Sequence, residues 1–375
     1  MSNSNYKIEI YTSQNYRNLA VNWNQLFSNC EMAFPYMSFA WIESFIEQGH
    51  FRGEICILTT WTADKLVGVW PLVIRHRWGL RIAEVIGDEV PSYLGILTDP
   101  DHLSFLPGIV SYCINKRIFD LYFSINLSRD DVGTQMLMGT FQKEGSTVCR
   151  NKRNCCCCID LPDSFEKYLE TTKSIKRRKQ LRYEEKKLYS NISTEIQHYQ
   201  GSNINDIVLN RIVKIQNESW LSQRGAADLS NPFRKHLVRK MSEAGLCDLW
   251  IMVLNGEDAA FVLALTSKRR FHYFRTAFDL KHESQLSIGK ILTLHVIREA
   301  CTGDFKIFDF GHGDAEYKRF WATGYHEVQR IAIGCGMRGR IFAHVACFVW
   351  RLAEVQFLRL LYRRVRKWIH SGQSD

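Results

Sequence analysis

Between Cys155 and Ala322 the apolar pattern changes period in a fixed order, and that order limits the fold more than any other feature of the chain. A strand reads over 155–161, where apolar residues run without a break. Asp163 and Glu166 then stand three apart, the spacing at which two side chains cap a helix start reciprocally. That helix is expected to run, with a break, into the basic stretch ending near Leu188. A strand at 192–198 precedes a helix over 204–220, in which Ile207, Val208, Ile212 and Ile215 are spaced for one buried face. Two strands, 247–254 and 259–266, flank Asn255-Gly256, a pair that accepts the left-handed positions of a tight hairpin. A strand over 270–278, a helix over 287–301, a strand over 306–310 and a helix over 314–322 complete the lobe.

The amino half repeats the mixture. Strands are expected at 6–12, 55–60, 65–75 and 119–125, and helices at 23–27, 39–48 and 103–115. A polar run, 143–154 (KEGSTVCRNKRN), marks a boundary. The expected organisation is α/β: a lobe at 1–152, a second at 153–335 and a basic helix at 336–375.

Composition excludes several classes. With 46% apolar and 23% charged residues the chain can bury a sizeable core and is not disordered in bulk. Its amino terminus has no signal-type apolar segment, and no run approaches the roughly 18 apolar residues of a membrane span, so a cytoplasmic protein is expected. Cys155 to Cys158 are consecutive. Neighbours on a strand face opposite ways, so these four cannot converge on one tetrahedral ion. No metal is expected; the run reads as a buried strand in a reducing compartment.

The formal charge of +10 points to an anionic partner. Lysines and arginines crowd 173–187, which is either a solvated helix face or a contact for tRNA or another polyanion. A second cluster ends the helix expected over 339–370, where Ile341, Val345, Phe348, Leu352 and Val355 form a stripe beside Arg351, Arg359, Arg363, Arg364, Arg366 and Lys367. Three uses are open to it: an anionic membrane surface, packing on the second lobe, or dimerisation. Nothing in the sequence sets an oligomeric state.

Two segments carry candidate chemistry. Leu286-Ser287-Ile288-Gly289-Lys290 stands at the start of a helix, expected directly after a strand. Amides at a helix amino end favour an anion, small Ser287 and Gly289 admit a phosphate, and Lys290 adds a cation. The same residues also suit an ordinary cap and turn. Lys306 to Tyr325 (KIFDFGHGDAEYKRFWATGY) places Asp309 after an apolar strand, Gly311 and Gly313 in a tight loop, and Asp314 as the expected cap of the helix bearing Tyr317 and Trp321. Such a cluster at a strand's carboxyl end suits an active-site rim; caps and core explain it equally.

The runs YFRTAFD, SIGKILTLHVIREA and FDFGHGDAEYKRFWAT, with Trp70-Pro71-Leu72, RIAEVIG, Pro91-Ser92-Tyr93-Leu94 and SIKRRKQLRYEEKKL, resemble GNAT-superfamily acetyltransferases of the cellulose-biosynthesis (CelD) type, relatives of the FemAB aminoacyl transferases. The resemblance spans residues 6–330. It implies two GNAT-like lobes in tandem and transfer from acetyl-CoA or another acyl-CoA to a small-molecule or saccharide amine, serving exopolysaccharide synthesis. It places Ser287, Ile288, Gly289 and Lys290 at the cofactor pyrophosphate, and Asp309, Arg275 and Trp321 at the acceptor. Phe320 stands four residues before Gly324-Tyr325, where many GNAT enzymes carry the tyrosine that protonates the thiolate. Tyr317, one turn earlier on the same face, is the substitute acid, with His312 or Asp314 as base. Transfer from charged tRNA and an inactive binding module are the competing expectations.

Overall fold

The structure, a computed structural model, describes residues 6–88, 93–223, 225 and 227–352. The chain divides into two compact units. The first takes Met1–Leu19, Arg52–Asn154 and Glu327–Asp375; the second takes Ala20–Phe51 and Cys155–His326. Two segments thus fold away from their sequence neighbours: 20–51 with the second unit and, among the described residues, 327–352 with the first.

In the first unit β1 (Tyr6–Tyr11), β2 (Glu54–Thr62), β3 (Lys65–Arg77) and β4 (Leu80–Val85) form an antiparallel meander. The two-residue β5 (Leu97–Thr98) pairs with β3. Helix α3 (Leu106–Asn115) then carries the chain over to β6 (Leu121–Ser128), which runs parallel to β4 at Ile82↔Leu121 and Ala83↔Tyr122. A parallel neighbour requires such a crossover, because a tight turn can only reverse the chain. After α4 (Val132–Lys143), β7 (Thr147–Asp160) begins. The polar run read as a boundary supplies, from Thr147 on, the first half of this strand, and the division between the units falls inside the strand, at Asn154. Its second half holds Cys156, Cys157 and Cys158 buried with Ile159, as the sequence implied.

The second unit repeats the pattern. It begins with α1 (Ala20–Asn29) and α2 (Phe39–Glu47), and after β7 come α5 (Phe165–Thr172) and α6 (Ile175–Asn191). Ser164, not Asp163, caps α5, accepting the Lys167 amide at 3.2 Å. Ser174 caps α6 in the same way, which is why the expected break falls there. Strand β8 (Thr194–Gln200), β9 (Cys247–Leu254), β10 (Glu257–Thr266) and β11 (Arg270–Phe278) form the antiparallel set. Between β8 and β9 lie α7 (Asp206–Glu218), α8 (Trp220–Gln223) and α9 (Pro232–Glu243). On α7 Val208, Leu209, Ile212 and Ile215 are buried and Ile207 is exposed, which shifts the expected apolar face by part of a turn. Asn255 and Gly256 have φ of +50° and +86°, as the hairpin requires.

The crossover from β11 is α10 (Leu280–Leu286) followed by α11 (Ile288–Thr302). It leads to β12 (Ile307–His312), parallel to β11 at Arg270↔Ile307, Phe271↔Phe308 and His272↔Asp309. Beyond that pair β11 continues without β12, and the opening starts at Tyr273. After α12 (Glu316–Trp321), β13 (Gly324–Gly334) pairs with β6 of the first unit through residues 328–334, while β7 pairs with β12 of the second. Each unit therefore completes its sheet with a strand that follows the other unit's parallel strand in sequence. The chain ends its described part in α13 (Gly336–Leu352), which packs Ala343 and Trp350 onto β4 and β6. Val355, Arg359, Arg363, Arg364, Arg366 and Lys367 lie outside the described residues, as do Pro91 and Ser92.

Candidate active site

Where β11 runs on alone, a cavity of about 910 Å³ opens inside the second unit. Its walls are Tyr273, Thr276 and Phe278 of β11, Gly289, Lys290 and Thr293 of α11, and Glu316, Tyr317, Arg319, Phe320 and Trp321 of α12. Leu280 and Glu283 of α10, Trp220 of α8 and Arg177 of α6 complete it. Six aromatic side chains against three cations and two carboxylates make an apolar slot with a charged rim.

The floor is held from beneath. Tyr168 donates to the carbonyl of Trp321 at 2.6 Å, and Lys173 to that of Phe320 at 2.5 Å. These are carbonyls that the end of α12 leaves without helical partners. Lys173 is thus no part of a solvated basic face: it is buried among Tyr168, Phe320 and Trp321, and burial, with Arg177 nearby, pushes its ammonium down to about 8. Arg177, exposed on the next turn, and Lys290 both stand over the Phe320 ring, at 5.6 and 5.2 Å from its centroid.

The amino end of α11 differs from the expected loop. It follows a helix rather than a strand, and Ser287 joins the two at φ +52° without capping through its side chain. Ile288 is fully buried in the core. The Gly289 amide donates to Oε2 of Glu283 at 2.7 Å, and Lys290 pairs with Glu184 at 2.7 Å. A carboxylate thus sits where an anion is expected. Burial raises the Glu283 carboxyl above its usual range, against the opposing pull of the Gly289 amide and Lys290. Gly289 is required for a packing reason as well: a Cβ there would lie 2.5 Å from the Phe278 ring. Gly289→Ala is expected to cost ~1–3 kcal/mol through overpacking, read as a lowered melting temperature.

Tyr317 reaches the cavity from α12. The residue as a whole is 44% exposed. Desolvation of its hydroxyl, helped by Tyr273 and Cys157, pushes it above the usual phenol range, and a phenol keeps its proton at neutral pH even without that shift. Opposite it, Thr293 donates to the Gly289 carbonyl at 2.7 Å, so the Tyr273 hydroxyl, 3.0 Å from Thr293 Oγ1, is the donor in that contact.

Of the ten residues expected at the site, Gly289, Lys290, Tyr317 and Trp321 line this cavity, and Ser287 and Ile288 adjoin it in sequence. The other four stand elsewhere. Asp309 is buried beside His272 (3.7 Å) and His326 (3.3 Å) and accepts the Gly311 amide at 2.6 Å. Burial works to raise its carboxyl, but the two histidines and that amide hold it far below the usual range. Arg275 pairs with Asp228 at 3.0 Å. Asp314 does not cap α12; it pairs with Arg319 at 3.2 Å, and Ala315 holds the cap position. The His312 carbonyl accepts Lys318 at 2.7 Å. Sequence reasoning missed Glu283, Glu316, Tyr273, Thr276 and Phe278. Strict alternation along YFRTAF puts 273 and 276 on opposite faces, and only the register shift between Tyr273 and Arg275 lets both line the cavity. Among the described residues no group of three or more His, Cys, Asp or Glu side chains is placed to hold a metal ion.

An antiparallel set, a helical crossover, a parallel strand that diverges and a cavity at the divergence define a GNAT-like architecture, present here in each unit except that the cavity is described for the second. Residues 176–319, within the second unit, match the family of acetyltransferase (GNAT) domains. The chain is similar in fold to FemX, with TM-score 0.62 and 10% identity over 87% of this chain and 96% of that one. It is also similar to the C-terminal domain of a putative lysylphosphatidylglycerol synthetase from Agrobacterium fabrum, with TM-score 0.54 and 10% identity over 87% and 94% of the two chains. No curated protein matches the sequence.

Proposed function

We propose that the second unit transfers an acyl group from acetyl-CoA or another acyl-CoA to an amine. The observation that carries this reading is the proton-holding Tyr317 on the wall of an aromatic slot beside the first turn of α11. Bound acyl-CoA supplies a thioester whose carbonyl carbon an amine attacks as the carbon–sulfur bond breaks. The slot suits the acyl and apolar part of such a donor, and Arg177, Lys290 and Arg319 suit its phosphates. The Gly289 amide fits a phosphate only after Glu283 leaves it. Tyr317 is the proton donor to the leaving thiolate. His312 and Asp314 do not line the slot, whereas Glu283 and Glu316 do and are the carboxylates available as base. The CelD-type resemblance supports a saccharide or small-molecule amine as acceptor and a role in exopolysaccharide synthesis. Twelve free cysteines support a cytoplasmic setting, where acyl-CoA is available. The test is turnover of acetyl-CoA with a panel of amino sugars and diamines, read by mass spectrometry of the products; acylation of an amine supports the reading, and acyl-CoA binding without any turnover supports an inactive binding module.

A second reading, transfer from an aminoacyl-tRNA, is favoured by one observation. Arg177 brings α6 to the cavity, and Lys176, Lys179 and Arg182 are exposed on the same helix. Transfer of a labelled amino acid from charged tRNA, falling steeply with salt, supports this reading over the first.

A further inference from the structure

The first unit carries a second concentration of unusual surface, remote in sequence from the acyl-transfer cavity. The turn between β3 and β4 is Trp78-Gly79, with φ of +54° and +70°. A tryptophan in a left-handed position at a hairpin tip is strained, since that conformation favours glycine or asparagine. Trp78 is nonetheless 66% exposed. It is stacked on Phe342 of α13, with the rings 14° from parallel and their centroids 6.0 Å apart. The Arg77 guanidinium stands over the Trp78 ring, 4.3 Å from its centroid. The hairpin tip therefore leans on the first turns of α13.

That helix has two faces of opposite use. One is pressed inward so closely that a Cβ on Gly339 would lie 1.9 Å from the Asp120 carbonyl oxygen. The outward face carries Met337, Ile341, Val345 and Phe348, each more than half exposed, at three- and four-residue spacing. Four large apolar side chains and an exposed tryptophan on one small unit exceed the scattered exposure that needs no explanation.

Charge says what covers them. Beside the hairpin tip, Arg52, Arg75, His76 and Arg77 line a cleft of about 380 Å³ with Gly53. Arg75 is neutralised by Glu84 at 2.6 Å, but neither Arg52 nor Arg77 pairs with a carboxylate among the described residues. Arg338 and Arg340 stand on the same first turns of α13. An apolar stripe, a tryptophan at a tip and unpaired guanidiniums around them match the layered chemistry of a bilayer surface: acyl chains, an interface that takes indole, and anionic phosphates.

We infer that the Trp78 hairpin and the outward face of α13 dock on an anionic phospholipid bilayer, with the Arg52–Arg77 cleft taking a headgroup phosphate. This goes beyond the acyl-transfer reading and stands without it, because binding is read with no donor or acceptor present.

The test is sedimentation of the full chain with vesicles of phosphatidylcholine alone, or of phosphatidylcholine mixed with phosphatidylglycerol. Binding at least ~10-fold tighter to the mixed vesicles, weakened by high salt, is expected. The variant Trp78→Ser with Arg77→Glu, and separately Ile341→Ser with Phe348→Ser, should each lose at least ~10-fold in affinity at unchanged melting temperature. Arg52→Glu provides a third arm that touches neither the tip nor the helix. Equal binding to both vesicle types, or all three variants binding as the native chain does, overturns the inference. So does a dimer in sedimentation velocity that Ile341→Ser with Phe348→Ser converts to monomer while vesicle binding is unaltered, since a second copy then covers the stripe.

Discussion

Tyr317→Phe is expected to slow acyl transfer at least ~100-fold while leaving the melting temperature and acetyl-CoA affinity near those of the native protein. The hydroxyl is the only atom removed. The ring keeps its place on the cavity wall. The thiolate then leaves without a proton from the protein, so the loss falls on kcat rather than KM. A phenol is protonated below about pH 10 and this one is shifted upward, so no loss of activity through its ionisation is expected between pH 6 and 9. A variant with native kcat removes Tyr317 from the chemistry and leaves it as wall.

Asp309 calls for the opposite signature. Asp309→Ala is expected to cost ~3–5 kcal/mol of stability, because it leaves His272 and His326 facing a buried space without their shared carboxylate. The pH dependence follows from the direction of its shift. Its folded pKa lies far below the unfolded value of about 3.9, so its contribution is fully present above that value. It is lost as pH falls from there towards the folded pKa. Thermal melts from pH 7 down to pH 3 should therefore show the native protein losing stability faster than Asp309→Ala below about pH 4. If Asp309→Ala melts as the native protein does and loses only activity, the residue belongs to the substrate after all.

The repeating lobe was legible because strand and helix periods are local. Asn255-Gly256, the buried cysteines of β7 and the buried face of α7 could all be read from a few neighbouring residues, though Ile207 and the Asp163 cap were each placed about one residue wrong. What local pattern cannot carry is partnership. Nothing in KEGSTVCRNKRN tells that it opens a strand whose far half pairs with β12, nor does GYHEVQRIAIG tell that it pairs with β6. Part of the candidate site is arranged differently from the expectation for the same reason. The helix start at Gly289 was recognised, but α10 turns back through the left-handed Ser287 and delivers Glu283 onto the amide that a phosphate was to take. Lys173 looked like one more cation in a basic run, and only the end of α12 beneath the cavity gives it a buried partner. Asp309, chosen for its place after an apolar strand, is enclosed by histidines that lie 37 residues before it and 17 after.

The central claim is that the slot beside α11 takes an acyl-CoA, and calorimetric titration of acetyl-CoA into the native chain and into Glu283→Gln tests it most directly. Saturable binding to the native chain is predicted, tightened about tenfold, ~1.4 kcal/mol, in the variant, because the charge that occupies the Gly289 amide has been removed. The absence of saturable binding in both proteins would contradict the claim.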